Sequence, residues 1–145
     1  MKMTSPAFEH NGELPSLYTC DGKGMTPPLA LSGIPQDAQS IVLFFDDPDV
    51  PRGTFDHWVM WNIPPTTVTI NEGEIPQGVV GKNSLDELNY VPPCPPTGQH
   101  RYIFYVYALD ILLDLPPDSS KVAVKNAMKG HVLDSTELVG RYQKR

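Results

Sequence analysis

The sequence predicts a mainly β domain, a strand-dominated sandwich with short helices near the C-terminus. Sixteen prolines and eleven glycines are spread over 145 residues. Proline fixes φ and lacks an N–H, so such a chain is cut into short elements joined by stiff, ordered loops. The runs between these breaks are dense in branched and aromatic residues, which favour pleated, half-buried positions. No strand–helix–strand repetition is visible, and a doubly wound α/β sheet is therefore not expected.

The elements follow in chain order. Ser40–Phe45 (SIVLFF) is apolar on both parities, the pattern of a central strand covered on both faces. It is expected to end at Asp46, where DDPDVP (Asp46–Pro51) reads as a turn. His57–Asn62 (HWVMWN) is a second strand, stopped by Ile63-Pro64-Pro65, and Thr67–Ile70 is a shorter one. Between Asn71 and His100 no periodicity is evident. A loop of that length is either functional or disordered. Its prolines and aromatics argue for order, and its X–Pro runs raise the chance of a cis peptide. Tyr102–Asp110 (YIFYVYALD) is the richest strand signal of all.

Helical signals are confined to the C-terminal quarter. Ser119 or Ser120 can cap a segment through VAVKNAMK, with Gly130 as the stop. Asp134 and Glu137 have capping-box spacing for a last helix over DSTELVGRY, Asp134–Tyr142. Val124, Met128, Leu133, Leu138 and Tyr142 would then cover a sheet.

Length and composition fit one domain over residues 1–145, with 40% hydrophobic residues. Eleven basic and seventeen acidic residues give a formal charge of −6, and no basic cluster is interleaved with aromatics. Nucleic acid is therefore not an expected partner. The N-terminal MKMTSPAFEHNGELPS has no apolar signal core. The longest apolar stretch, Tyr102–Leu109, is far too short for a membrane span. A cytoplasmic location is the expectation. Cys20 and Cys94 lie outside any CxxC pair, and in such a compartment they read as two buried thiols, with cross-linking under oxidation as the alternative.

Enzyme templates are missing. There is no GxSxG, HExxH or GxxxxGK[ST]. Asp47 and Asp49, bridged by a proline, give no sign of the roughly 5–9 Å opening between glycosidase carboxylates. No enzyme activity, metal or cofactor is expected.

The polar residues that stand out lie beside the apolar strands: Asp47 and Asp49 after the first, His57 at the start of the second, His100 before the third. Strand ends beside ordered loops are where folds build sites. His100 and Tyr102 share strand parity, as do Phe55 and His57, so each pair emerges on one face. If these strands are neighbours, two imidazoles, a phenol, a carboxylate and aromatic walls converge. Imidazoles with backbone N–H groups suit phosphate or carboxylate. A carboxylate in the same pocket disfavours a bare dianion and suits a zwitterionic headgroup better. Each residue also has a plainer use: His57 and His100 as satisfied internal histidines, and Asp47 as an Asx cap of its turn. His10 and His131 have no motif around them.

At these residues the sequence resembles the phosphatidylethanolamine-binding protein family, which includes the Raf kinase inhibitor proteins, and within it the short bacterial and archaeal branch. TCDGKGMTPPL (Thr19–Leu29), DDPDVP (Asp46–Pro51), FDHWVMWNIPP (Phe55–Pro65), GKNSLDELNYVPPCPPTGQHRYIFYVYALD (Gly81–Asp110) and GHVLDSTELVGRY (Gly130–Tyr142) carry the likeness. The resemblance implies a sandwich of a larger and a smaller antiparallel sheet with short edge helices. It implies an anion pocket of Asp47, His57 and His100 with Tyr102 beside them, Pro93 and Cys94 at the rim, and Phe55 as an aromatic neighbour. Asp49 and Arg101 would brace the DPD loop from inside. The partner implied is a small anion or phospholipid headgroup. Inhibition of a serine protease or kinase is an alternative, weak acid–base catalysis on a phosphorylated substrate a second one. Some microbial members form homodimers, so self-association is also implied.

Overall fold

A computed structural model describes all residues, Met1–Arg145. Nine strands form two sheets. They are β1 (Lys2–Thr4), β2 (Gly12–Glu13), β3 (Leu29–Ser32), β4 (Ser40–Val50), β5 (Gly53–Ile63), β6 (Thr69–Ile70), β7 (Val79–Val80), β8 (Gln99–Leu109) and β9 (Val132–Gln143). The one α-helix, α1, spans Lys121–Met128, and a single 3-10 turn covers Ser16–Tyr18. The large sheet has the order β2-β9-β8-β4-β5-β7, and the small one β1-β3-β6. All pairings are antiparallel except the two-residue contact of β2 with β9.

The two parities of β4 explain the layers. Ile41, Leu43 and Phe45 point into the sandwich interior with Trp58, Met60, Phe104 and the small-sheet residues Leu29 and Leu31. Val42 and Phe44 point the other way, against Trp61, Leu113 and the α1 residues Val124 and Met128. The sheet is thus buried on both faces, as the unbroken apolar run requires. Helix α1 starts directly after Ser120, one of the two serines read as its boundary, but the Ser120 side chain makes no capping bond. No helix is long and apolar enough to cross a membrane.

Four sequence expectations need correction. Asp134–Tyr142 is not a helix but most of β9, paired with β8 from Gln99↔Gln143 through Leu109↔Val132. Leu138 and Tyr142 recur at even spacing and face the interior, so the period is that of a strand. The carboxylate of Asp134 serves the chain terminus instead of a cap, accepting from the Met1 ammonium at 2.8 Å. The first strand does not end at Asp46: β4 runs through DDPDV, and the turn follows at Pro51–Arg52. No peptide bond is cis. Finally, Cys20 and Cys94 are neither thiols nor buried. They form a disulfide with Cα atoms 5.4 Å apart, and both residues are exposed.

Candidate functional site

The β4–β5 hairpin contains irregularities at the place where polar residues begin. Phe45 pairs with Trp58, the next residue Asp46 pairs with Asp56, and Asp47 pairs with Phe55. One residue of β5, His57, is therefore left as a bulge. A bulge re-aims side chains beside it. Although adjacent to the inward-facing Trp58, His57 also lies on the interior side, with its ring 5.7 Å from Phe45, 4.6 Å from Phe55 and 5.5 Å from Tyr102.

A cavity of about 230 Å³ opens beside this bulge. Asp47, Phe55, His57 and Tyr102 line one side, and the proline-rich segment from Val91 to Pro96 lines the other. Asp47, His57 and Tyr102 are all at least 95% buried. His57 Nδ1 lies 2.7 Å from the Val91 carbonyl oxygen. A carbonyl only accepts, so Nδ1 carries the proton, and in the neutral ring Nε2 is an acceptor without a protein partner. Burial pushes the His57 pKa below its ordinary value, which the Val91 carbonyl and the nearby Asp47 and Asp56 only partly offset.

Asp47 is held at both oxygens. Oδ2 accepts from His100 Nδ1 at 2.6 Å and Oδ1 accepts from the Asp49 backbone N–H at 2.8 Å. His100 stands behind Asp47, with its ring 6.3 Å from that of Tyr102 and nearly parallel to it, and is not on the cavity lining. Its role in the geometry is to orient the carboxylate. The Tyr102 hydroxyl is buried and makes no well-aligned hydrogen bond in the protein, although the Asp47 carboxylate is close enough to interact with it. Burial first, then the negative charge of Asp47, raises its pKa, so the phenol keeps its proton and remains a donor.

Asp49 and Arg101 form the expected pair, on the solvent side and not from inside. Arg101 Nε and Nη2 donate to the two carboxylate oxygens at 3.0 and 2.8 Å, and the Arg101 backbone N–H adds a bond of 2.8 Å. These bonds to Arg101 hold the Asp49 carboxyl down at about 2. Cys94 is on the cavity wall, whereas Pro93 is buried behind it, its carbonyl accepting from the Cys20 N–H at 3.0 Å.

Several participants were not legible in the sequence. Val91 acts through its carbonyl, which any residue supplies, and Pro92, Pro95 and Pro96 act as walls. Directly behind the site, on the opposite face of the sheet, Lys121 of α1 donates to Asp46 Oδ2 at 2.9 Å and forms an ion pair with Asp56 Oδ1 at 2.6 Å. Asp46 and Asp56 precede Asp47 and His57, so strand alternation places them beneath the cavity. A larger cavity of about 450 Å³ lies along β1 and β9 and is bordered by Lys2, Glu9, His10 and Glu137. His10 is already engaged there by the Val139 N–H, and none of the residues lining this cavity carries an unpartnered buried polar atom.

The comparisons with known proteins agree with this architecture. The family model described as phosphatidylethanolamine-binding protein matches residues 4–143. A UPF0098 protein of Methanothermobacter thermautotrophicus is 46% identical over 150 residues, covering 99% of both chains. The crystal structure of a phosphatidylethanolamine-binding protein homologue from Chlamydia trachomatis superposes with a TM-score of 0.97 at 41% identity, covering 99% of this chain and 97% of that one. Escherichia coli YbcL, at 25% identity, gives a TM-score of 0.90 over 99% and 98% of the two chains. The chain, with this sandwich and this pocket region, belongs to the phosphatidylethanolamine-binding protein family.

Proposed function

We propose that the protein is a non-catalytic binding module whose His57–Asp47–Tyr102 cavity takes a phosphate-like group, free or on a lipid headgroup. The observation that carries this reading is the Tyr102 hydroxyl, buried at a cavity-lining residue and without a well-aligned partner. An unpaired buried hydroxyl costs about 1–3 kcal/mol, and a ligand oxygen accepting from it would remove that cost.

The complement of donors and acceptors narrows the ligand. Tyr102 offers a donor, and neutral His57 offers an acceptor at Nε2. Asp47 keeps a negative charge nearby, and no Lys or Arg lines the cavity. A singly charged phosphate, dihydrogen phosphate or a monoprotonated monoester, presents both P–O⁻ and P–OH and matches this set. A zwitterionic phosphoethanolamine headgroup adds an ammonium that Asp47 would favour. His100 completes the arrangement as the positioning residue of Asp47.

Titration with inorganic phosphate and with phosphoethanolamine, followed by the imidazole NMR signals, tests the reading. Saturable shifts of His57 are expected in the millimolar range or below. A His57 signal unmoved by either compound at millimolar concentration would end it.

A further inference from the structure

We propose, resting on the pocket reading above, that the Cys20–Cys94 disulfide is a redox-responsive tether whose reduction loosens the cavity rim and weakens binding. Cys94 lies on the cavity wall and Cys20 does not. Both residues are exposed, so a thiolate in solution can reach the bond.

The two ends of the tether differ in how firmly they are held. The Cys20 side is a fixed base. Thr19 N–H and hydroxyl both donate to the Ser16 carbonyl, the Tyr90 hydroxyl donates to the Tyr18 carbonyl, and Asp21 accepts from the Tyr142 hydroxyl at 2.5 Å. Gly24, with φ of +71°, lets Pro92 pack closely: a Cβ there would stand 2.7 Å from the Pro92 ring. On the Cys94 side the rim is anchored upstream by Val91, bonded to His57, and by the Pro93 carbonyl, bonded to Cys20 N–H. From Pro95 through Gly98 the backbone makes no hydrogen bond to the rest of the protein until β8 begins at Gln99. Pro95 and Pro96 have no N–H to give. After Val91, the covalent link and a single backbone bond are the directional ties of this wall to the fixed base, beside the packing of Pro92 on Gly24 and the burial of Pro93 and Pro95.

Reduction by a dithiol is balanced and local. A reagent thiolate attacks one sulfur of the bridge, the mixed disulfide resolves within the reagent, and two electrons and two protons leave two protein thiols and one oxidised reagent. The freed rim must then be ordered again whenever ligand binds, and that ordering cost lowers affinity. In a reducing compartment the loose form predominates, and in an oxidising one the closed form.

The test uses the full chain with and without dithiothreitol, with two readouts: backbone amide exchange and the phosphate dissociation constant from NMR. On reduction, the Cys20 amide, which donates to the Pro93 carbonyl of the rim, is expected to exchange faster, and phosphate binding to weaken roughly three- to tenfold. Cys20→Ser leaves the cavity lining intact. It should match the reduced protein and no longer respond to dithiothreitol, with core β8 amides confirming that it folds. Unchanged rim exchange on reduction overturns the tether, whatever phosphate does. Faster exchange with equal affinity overturns its control of binding. Faster exchange with no phosphate binding in either state upholds the tether and overturns the ligand reading instead.

Discussion

His57 and Val91 are joined twice: the imidazole Nδ1 donates to the Val91 carbonyl at 2.7 Å, and the Val91 N–H donates to the His57 carbonyl at 2.9 Å. The bulged strand residue and the first residue of the rim are thereby fixed to each other through both side chain and backbone. The tautomer of the ring follows from this bond, and so does the character of the nitrogen left over. His57→Phe keeps an aromatic ring among Phe45, Phe55 and Tyr102 but strips the Val91 carbonyl of its donor. A loss of about 1–3 kcal/mol is expected in urea unfolding. The variant should also change the pH profile. Burial lowers the His57 pKa from 6.5, so its contribution is fully present above about pH 6.5 and is lost as pH falls toward the folded-state value. Below neutrality, His57→Phe should lose less stability than the wild type. Parallel profiles would show that burial of this ring is not coupled to its charge.

Tyr102→Phe separates binding from folding. Removing a buried hydroxyl that has no well-aligned partner relieves a desolvation cost, so the variant should be as stable as the wild type or more so, by up to about 1 kcal/mol. Phosphate affinity should fall about tenfold, the worth of one hydrogen bond to a charged acceptor. A clear loss of stability would mean that the hydroxyl serves the fold. Equal affinity would mean that the ligand does not reach it.

Asp46 acts in the opposite pH direction to His57. Its carboxyl is pushed up to about 6 by burial, with Asp56 adding to the effect and Lys121 partly offsetting it. A raised acid pKa means that the folded state holds its proton more tightly than the unfolded chain does. The contribution is therefore present below about pH 4 and is lost as pH rises through about 6. Asp46→Asn keeps an acceptor for Lys121 without the charge. At pH 8 it should equal or exceed the wild type, by on the order of 2 kcal/mol at most. Its stability curve between pH 4 and 6 should lack the wild-type decline that Asp46 causes. Thermal melts at these pH values decide the matter, and a variant destabilised at pH 8 would show that the Lys121 ion pair outweighs the burial cost.

What was legible followed from local pattern. The two-sided apolar run at Ser40–Phe45 and the aromatic run at Tyr102–Leu109 became adjacent central strands, because only a doubly covered sheet can absorb them. Helix α1 was marked by its serine and glycine boundaries. The segment Asp134–Tyr142 misled because Asp and Glu at capping-box spacing also occur on exposed strand positions, and only pairing along β8 decides between the two. The aspartates and histidines were visible as residue types at strand ends. Their convergence was not, since it depends on the bulge at His57, a register feature without a composition signature. The disulfide was hidden for a related reason: 74 residues separate its cysteines, and only the folded rim brings them together.

That separation also sets the expected effect of reduction on stability. Cross-linking a loop of this length removes conformational freedom from the unfolded chain, worth roughly 4 kcal/mol in the chain-entropy account. The fixed base around Cys20 and the packing of Pro92 on Gly24 survive reduction in the folded state, so little is regained there. Urea unfolding with and without dithiothreitol should therefore show a loss of about 2–4 kcal/mol in the reduced protein, and Cys20→Ser should reproduce it. The entropic account places the change in the unfolded chain, so the reduced chain should also expose more surface on unfolding and give a steeper denaturant slope. An equal midpoint in both redox states would mean that the bridge adds nothing to folding. A lower midpoint with an unchanged slope would place its effect in the folded rim instead.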